Sequence, residues 1–165
     1  MRISVSAVFL LLAACGSETT PEEQARLDAE AVEQVRASQT PPVIAIVPEP
    51  IGNPDIDRFE MFGLGCSFAP GAEAAGPVAI TLLGEAFMKV DGEVERFAPD
   101  AGSPETAYGT RRKYDGKRFS FQLELDPGEG EQIGMETIQH DARLVARDSR
   151  DRVIYQADGT ARCGA

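Results

Sequence analysis

The chain has 165 residues, which leaves room for one domain of about 100–150 residues plus extensions and argues against a multi-domain enzyme. Its 42% hydrophobic and 26% charged residues are ordinary for a globular protein and far from the composition of disordered chains. The formal charge of -11, from 27 acidic against 16 basic residues, repels phosphate backbones and anionic head groups. Nucleic acid is therefore a poor partner, and membrane attachment calls for an anchor instead of a basic face. A cationic protein partner fits the sign, although an acidic surface is also a common route to solubility.

Residues 1–14 carry one cation, Arg2, then an apolar run from Val5 to Leu12, then Ala13 and Ala14. This order is that of a secretory signal peptide, and the run is too short to span a bilayer. The sequence Leu12-Ala13-Ala14-Cys15 that follows resembles the lipobox of bacterial lipoproteins. The resemblance implies that Cys15 is acylated and becomes the first residue of the mature protein. Gly16 lacks the aspartate that holds such proteins at the inner membrane, which implies the outer membrane, facing the periplasm. The plain alternative is an ordinary signal cleaved nearby, with Cys15 a bystander thiol. Cysteine arithmetic favours the anchor: of three cysteines, assigning Cys15 to lipid leaves Cys66 and Cys163 as an even pair in an oxidising compartment. Far apart and without C-x-x-C spacing, that pair reads as structural and not as a redox couple.

After a tether over 15–20, Thr20 with Pro21 and Glu23 forms a capping signal. The helix formers that follow predict a spacer helix over 21–38. Its apolar stripe of Leu27, Ala31 and Val35 is thin. Residues 39–58 are rich in proline around 43–47, which favours extended chain, either a linker or an edge segment packed against the domain. A short helical turn is expected over 55–60.

The segment 59–165 reads as the β domain. In 118–126 every odd position is apolar and every even one polar, the pattern of a strand with one face in a core. Val153, Tyr155, Ala157, Gly159, Ala161 and Cys163 share one parity near the end, and Phe62, Leu64, Cys66 and Phe68 share one near the start. Both cysteines then point inward from the first and last strands. Further strands are expected near 78–82, 87–90, 94–97 and 142–147, punctuated by Asp91-Gly92, Asp115-Gly116 and Asp148-Ser149-Arg150-Asp151. A two-residue Asp91-Gly92 turn would set Lys89 against Val94 and Phe87 against Arg96, so a longer loop or a bulge is expected there. The predicted fold is all-β: a small antiparallel barrel or sandwich closed by a disulfide.

Enzyme signatures are thin. His140 is the single histidine, so a zinc site lacks ligands, and the glycine-rich pieces lack the lysine of a phosphate loop. No cofactor, metal or catalytic residue is assigned. A reversal of charge at Arg111-Arg112-Lys113 and Lys117-Arg118 is either a partner-facing patch or a ladder balancing nearby acids. Here 106–111, then Tyr114-Asp115-Gly116 and Phe119-Ser120-Phe121, resemble the S-A-S-G-x-R-Y…D-G…F-W-x-K-G run of the periplasmic C-type lysozyme inhibitors, and Phe87 to Phe97 resembles that family's D-G hairpin. The resemblance covers about half of the β domain and implies a small barrel stapled by cysteines, whose loop enters an enzyme cleft. Thr106 stands for the family's serine, Leu123 roughly for its lysine, and the Gly-Arg-Tyr spacing carries an extra residue. Candidate partner-binding residues are accordingly Thr106, Tyr108, Arg111, Arg112 and Tyr114. The functional expectation is a non-enzymatic envelope lipoprotein whose β domain binds a protein or envelope component. Inhibition of a cationic lysozyme-like hydrolase and a structural or assembly role at the outer membrane are the alternatives.

Overall fold

A computed structural model describes residues 20–71 and 73–164, so the leader 1–14 and Cys15 lie outside the described residues. The chain divides into two compact units, Met1–Pro42 and Val43–Ala165. In the first, helix α1 covers Pro21–Gln39, opened by Thr20, whose hydroxyl accepts the Glu23 N–H at 3.2 Å, with Pro21 at the first helical position. None of its residues is buried, as the thin apolar stripe implies.

The second unit is a closed antiparallel β-barrel. Its elements are β1 (Pro48–Glu49), α2 (Asn53–Phe59), β2 (Gly65–Pro70), β3 (Ala79–Leu82), β4 (Ala86–Val90), β5 (Glu93–Pro99), a 3-10 turn (Ala107–Gly109), β6 (Lys113–Asp115), β7 (Phe119–Leu125), β8 (Glu131–Gln132), β9 (Ile138–Asp148) and β10 (Val153–Gly164). Strands β2, β3, β4, β5, β6, β7, β9 and β10 pair in that order, and β10 returns to β2. Closure removes the open edges that would otherwise invite pairing with other chains. β1 adds to the end of β4, and β8 to the start of β9.

The interior is filled by side chains. Phe119, Phe121 and Leu123 alternate inward along β7 while Ser120, Gln122 and Glu124 face out. Phe97 meets Phe121 edge-on at 4.9 Å, and Tyr114 stacks on Phe121 at 5.6 Å. Each buried side chain of this size stabilises the fold by about 1.5–3 kcal/mol. Cys66 and Cys163 stand directly opposite each other in the β2–β10 ladder and form a disulfide between positions 97 apart in sequence.

Three details differ from the sequence expectation. Asp91 and Gly92 form a two-residue turn after all, with φ of 56° and 76° and Lys89 facing Val94. The register is tolerated because β4 has no wet face: Ala86, Met88 and Val90 point into the barrel, while Phe87 is buried on the outside. There it joins a second cluster with Ile51, Met61 and Ile80, with Ile56 and Phe59 of α2 packed against it. The second difference is at Phe62 and Leu64, which are 64% and 51% exposed because β2 begins at Gly65. The third lies in β10, where a bulge at Ile154 breaks the parity: Ile154 is buried and Val153 exposed.

The proline-rich segment from Val43 onward packs on the barrel. Ile46 donates its N–H to the Ile154 carbonyl at 3.0 Å, Ile51 donates to Pro77 at 2.7 Å, and Asp55 of α2 pairs with Lys89 of β4 at 2.8 Å.

Candidate functional site

The register of the ladder sorts the connections between two ends. One end carries the short turns at Asp91-Gly92, Gly116 and Asp148 to Arg152. The other carries 62–64, the β3–β4 turn, the long loop 100–112 and the hairpin 133–137. Loops held on a rigid barrel are where binding residues concentrate.

Loop 100–112 is stapled to itself. Thr106 N–H reaches the Thr110 carbonyl at 2.8 Å, Arg112 N–H reaches Pro104 at 3.0 Å, and Asp100 N–H reaches Lys113 at 2.9 Å. The Thr110 hydroxyl donates to the Ala107 carbonyl at 2.7 Å. Its single proton is then committed, so the Thr106 hydroxyl is the donor in the 2.8 Å contact between the two threonines. Beneath them the Tyr114 hydroxyl donates to the Leu82 carbonyl at 2.9 Å and accepts the Arg111 N–H at 3.0 Å. Burial pushes the Tyr114 phenol above its ordinary range. At the base of the loop, the Gly102 N–H foremost and then Lys113 hold the Asp100 carboxyl below its usual value.

The five candidate residues thus separate. Tyr114 is fully buried and belongs to the core, where it positions the loop. Thr106 is half-buried against Thr110, and Arg111 is half-buried, bonded to the Ser103 carbonyl at 3.2 Å and facing Glu105 at 3.8 Å. Tyr108 and Arg112 are the two that face solvent. Tyr108 holds a left-handed backbone, φ 55°, which costs a non-glycine residue about 1–2 kcal/mol. Leu123, which stands near the inhibitor family's lysine, is buried in the barrel.

Sequence reasoning missed the apolar neighbours. Leu83 is 65% exposed in the β3–β4 turn and lies against the loop, since a Cβ on Gly109 would stand 3.0 Å from its Cδ1. Phe62, Leu64, Ile133 and Met135 are exposed at the same end, Met135 almost completely. A signal was present: Ile133 and Met135 sit inside an otherwise polar stretch where no strand needs them. Clustered exposed apolar side chains mark interaction surfaces. His140 is half-buried in β9 opposite Ala161, and among the described residues no three metal-ligating side chains come together.

Comparison with protein-family models, curated proteins and solved structures finds no match for this chain. Fold and site define a small β-barrel, closed by a disulfide and filled by its own side chains, with one apolar, loop-built end.

Proposed function

We propose that the protein is a non-enzymatic envelope lipoprotein, anchored by acyl chains on Cys15 at the outer membrane and facing the periplasm. Its β domain binds a protein partner through the loop-built end of the barrel. The observation that carries this reading is the stapled loop 100–112, which presents Tyr108 and Arg112 beside the exposed Leu83. An internally bonded loop is pre-organised, so little ordering entropy opposes docking. An exposed tyrosine and an arginine are also the residue types that dominate interface energetics.

The test is a photo-crosslinking residue at position 108 of the acylated protein in intact cells. A discrete protein adduct is expected, lost with Arg112→Glu and not formed from position 158 on the barrel flank. Equal adducts from 108 and 158 would discard the reading. The anchor is tested separately: labelled palmitate should enter the parent protein and not Cys15→Ala, which should leave the membrane fraction.

Inhibition of a lysozyme-like hydrolase is the second reading, favoured by the location of the resembling residues in this same loop. Because Thr106 is turned onto Thr110, such inhibition would run through Tyr108 and Arg112. Lysozyme activity unchanged by a stoichiometric excess of the protein would remove it.

A further inference from the structure

Met135, at the tip of the hairpin 133–137, is 96% exposed. The hairpin that carries it is held by its own bonds. Ile133 donates its N–H to the Thr137 carbonyl at 3.0 Å, and the Gln132 side-chain amide donates to the carbonyls of Gly134 at 3.1 Å and Met135 at 3.4 Å. The other two methionines among the described residues are sealed: Met88 lies in the barrel interior and Met61 in the outer cluster that α2 covers. A thioether is oxidised where an oxidant reaches its sulfur, so burial protects Met61 and Met88 while exposure selects Met135.

A change of polarity at Met135 falls on the apolar end of the barrel. Ile133, on the same hairpin, shares a groove with Gly63 between the exposed Phe62 and Leu64. The turn 107–109 of the candidate loop lies against β2 and β10, and Gly164 at the end of β10 abuts the Glu136 carbonyl. Loop and hairpin are thus joined through the two disulfide-linked strands. Methionine in such a surface gives flexible, polarisable apolar contact, and its sulfoxide is a polar group that a docked partner must desolvate. The fold itself loses nothing, because Met135 packs into neither cluster.

We propose that Met135 is an oxidation site that switches the partner surface off: a peroxide converts its thioether to the sulfoxide, and the partner is released. The consequence rests on the partner reading, whereas the chemistry rests on exposure alone. The sulfur attacks one oxygen of hydrogen peroxide, so that an S–O bond forms as the O–O bond breaks. The hydroxide set free takes the proton of the transferred hydroxyl and leaves as water. The thioether is thereby oxidised by two electrons and the peroxide reduced by two. Docking is reversible, so the oxidant takes the free form and removes it from the binding equilibrium.

The test joins two readouts on the acylated protein carrying the photo-crosslinking residue at position 108. Cells receive a short pulse of hydrogen peroxide before illumination, and the isolated protein is analysed by peptide mass and thermal unfolding. Met135 should gain one oxygen at least tenfold faster than Met61 or Met88, with the thermal midpoint unchanged, and the adduct should fall about tenfold. Met135→Leu, compared with its own untreated level, should keep its adduct through the pulse. Met135→Gln, polar like the sulfoxide, should give the low yield without peroxide, and either variant alone decides. Oxidation of Met61 or Met88 at the rate of Met135 overturns the proposal. So does an adduct that survives in the parent with Met135 oxidised, an equal loss from Met135→Leu, or a parental yield from Met135→Gln. No adduct in untreated parent cells would instead sink the partner reading, and the switch with it, even where the mass readout shows Met135 oxidised first.

Discussion

At the end of the barrel that carries Asp91, Gly116 and Asp148, three pairs of neighbouring strands are joined by short turns and tied by ion pairs, while β2 ends there at Pro70 and β3 begins only at Ala79. Arg118 contacts Glu95 and Asp91, and Arg152 pairs with Asp148 at 2.6 Å. The opposite end carries the loop 100–112 and the hairpin 133–137, and there Phe62, Leu64, Leu83, Ile133 and Met135 face outward. One end spends its residues on closing the chain. The other holds apolar groups in water, a placement that folding alone does not reward. The contrast teaches that exposed apolar groups collect at one end of a core that both ends share, and that the disulfide lies near that same end.

The largest effect should come from the staple near the open end. Removing the disulfide with Cys66→Ala and Cys163→Ala frees a loop of nearly the whole domain. The chain-entropy estimate for such a loop is about 4–5 kcal/mol, measurable by denaturant unfolding with and without reductant. An unchanged midpoint would show that the open end is held by packing alone.

Next is Tyr114→Phe, which strands the Arg111 N–H and the Leu82 carbonyl beneath the loop. It should cost about 1–3 kcal/mol and speed hydrogen exchange at the Arg111 amide. Exchange that stays slow would mean that the loop's own bonds hold it without the core.

Tyr108→Gly should act with the opposite sign. Relief of the left-handed backbone should raise stability by up to about 1 kcal/mol in thermal unfolding, while the crosslinked adduct at the loop weakens. Loss of stability together with loss of binding would show that the Tyr108 side chain also holds the loop together.

The smallest effect belongs to the short-turn end. The Arg152 guanidinium, with the Arg152 and Arg150 N–H groups, lowers the Asp148 carboxyl from 3.8 to about 2. A group with a depressed folded value stabilises the fold above its unfolded value and loses that contribution as pH falls through the folded one. Acid unfolding followed between these two values should therefore be shallower for Asp148→Asn than for the parent, with the variant less stable at neutral pH.

Much of the barrel was legible beforehand. The alternation over 118–126 places Phe119, Phe121 and Leu123 inside, and the shared parity of Cys66 with Phe68 and of Cys163 with Ala161 anticipates the bridge. The Asp91-Gly92 turn departs from the sequence pattern because strict alternation assumes one wet face per strand. Phe87 breaks that assumption only because Ile51 and Met61, distant in sequence, cover it. The candidate loop was legible as a location but not as a surface, since nothing in the residue order says that Tyr114 points into the barrel and Tyr108 out of it.

The sequence by itself determined the β character, the faces of the regular strands, the cysteine pair and the sites of the tight turns. These depend on period-two patterning and local backbone preference, which each segment carries alone. Only the tertiary structure decided that β10 returns to β2 to close a barrel, that 43–62 adds a second layer outside it, and which exposed residues stand together at its end. Those are pairings between segments far apart in the chain, chosen by the joint burial of many side chains and by no one stretch of sequence.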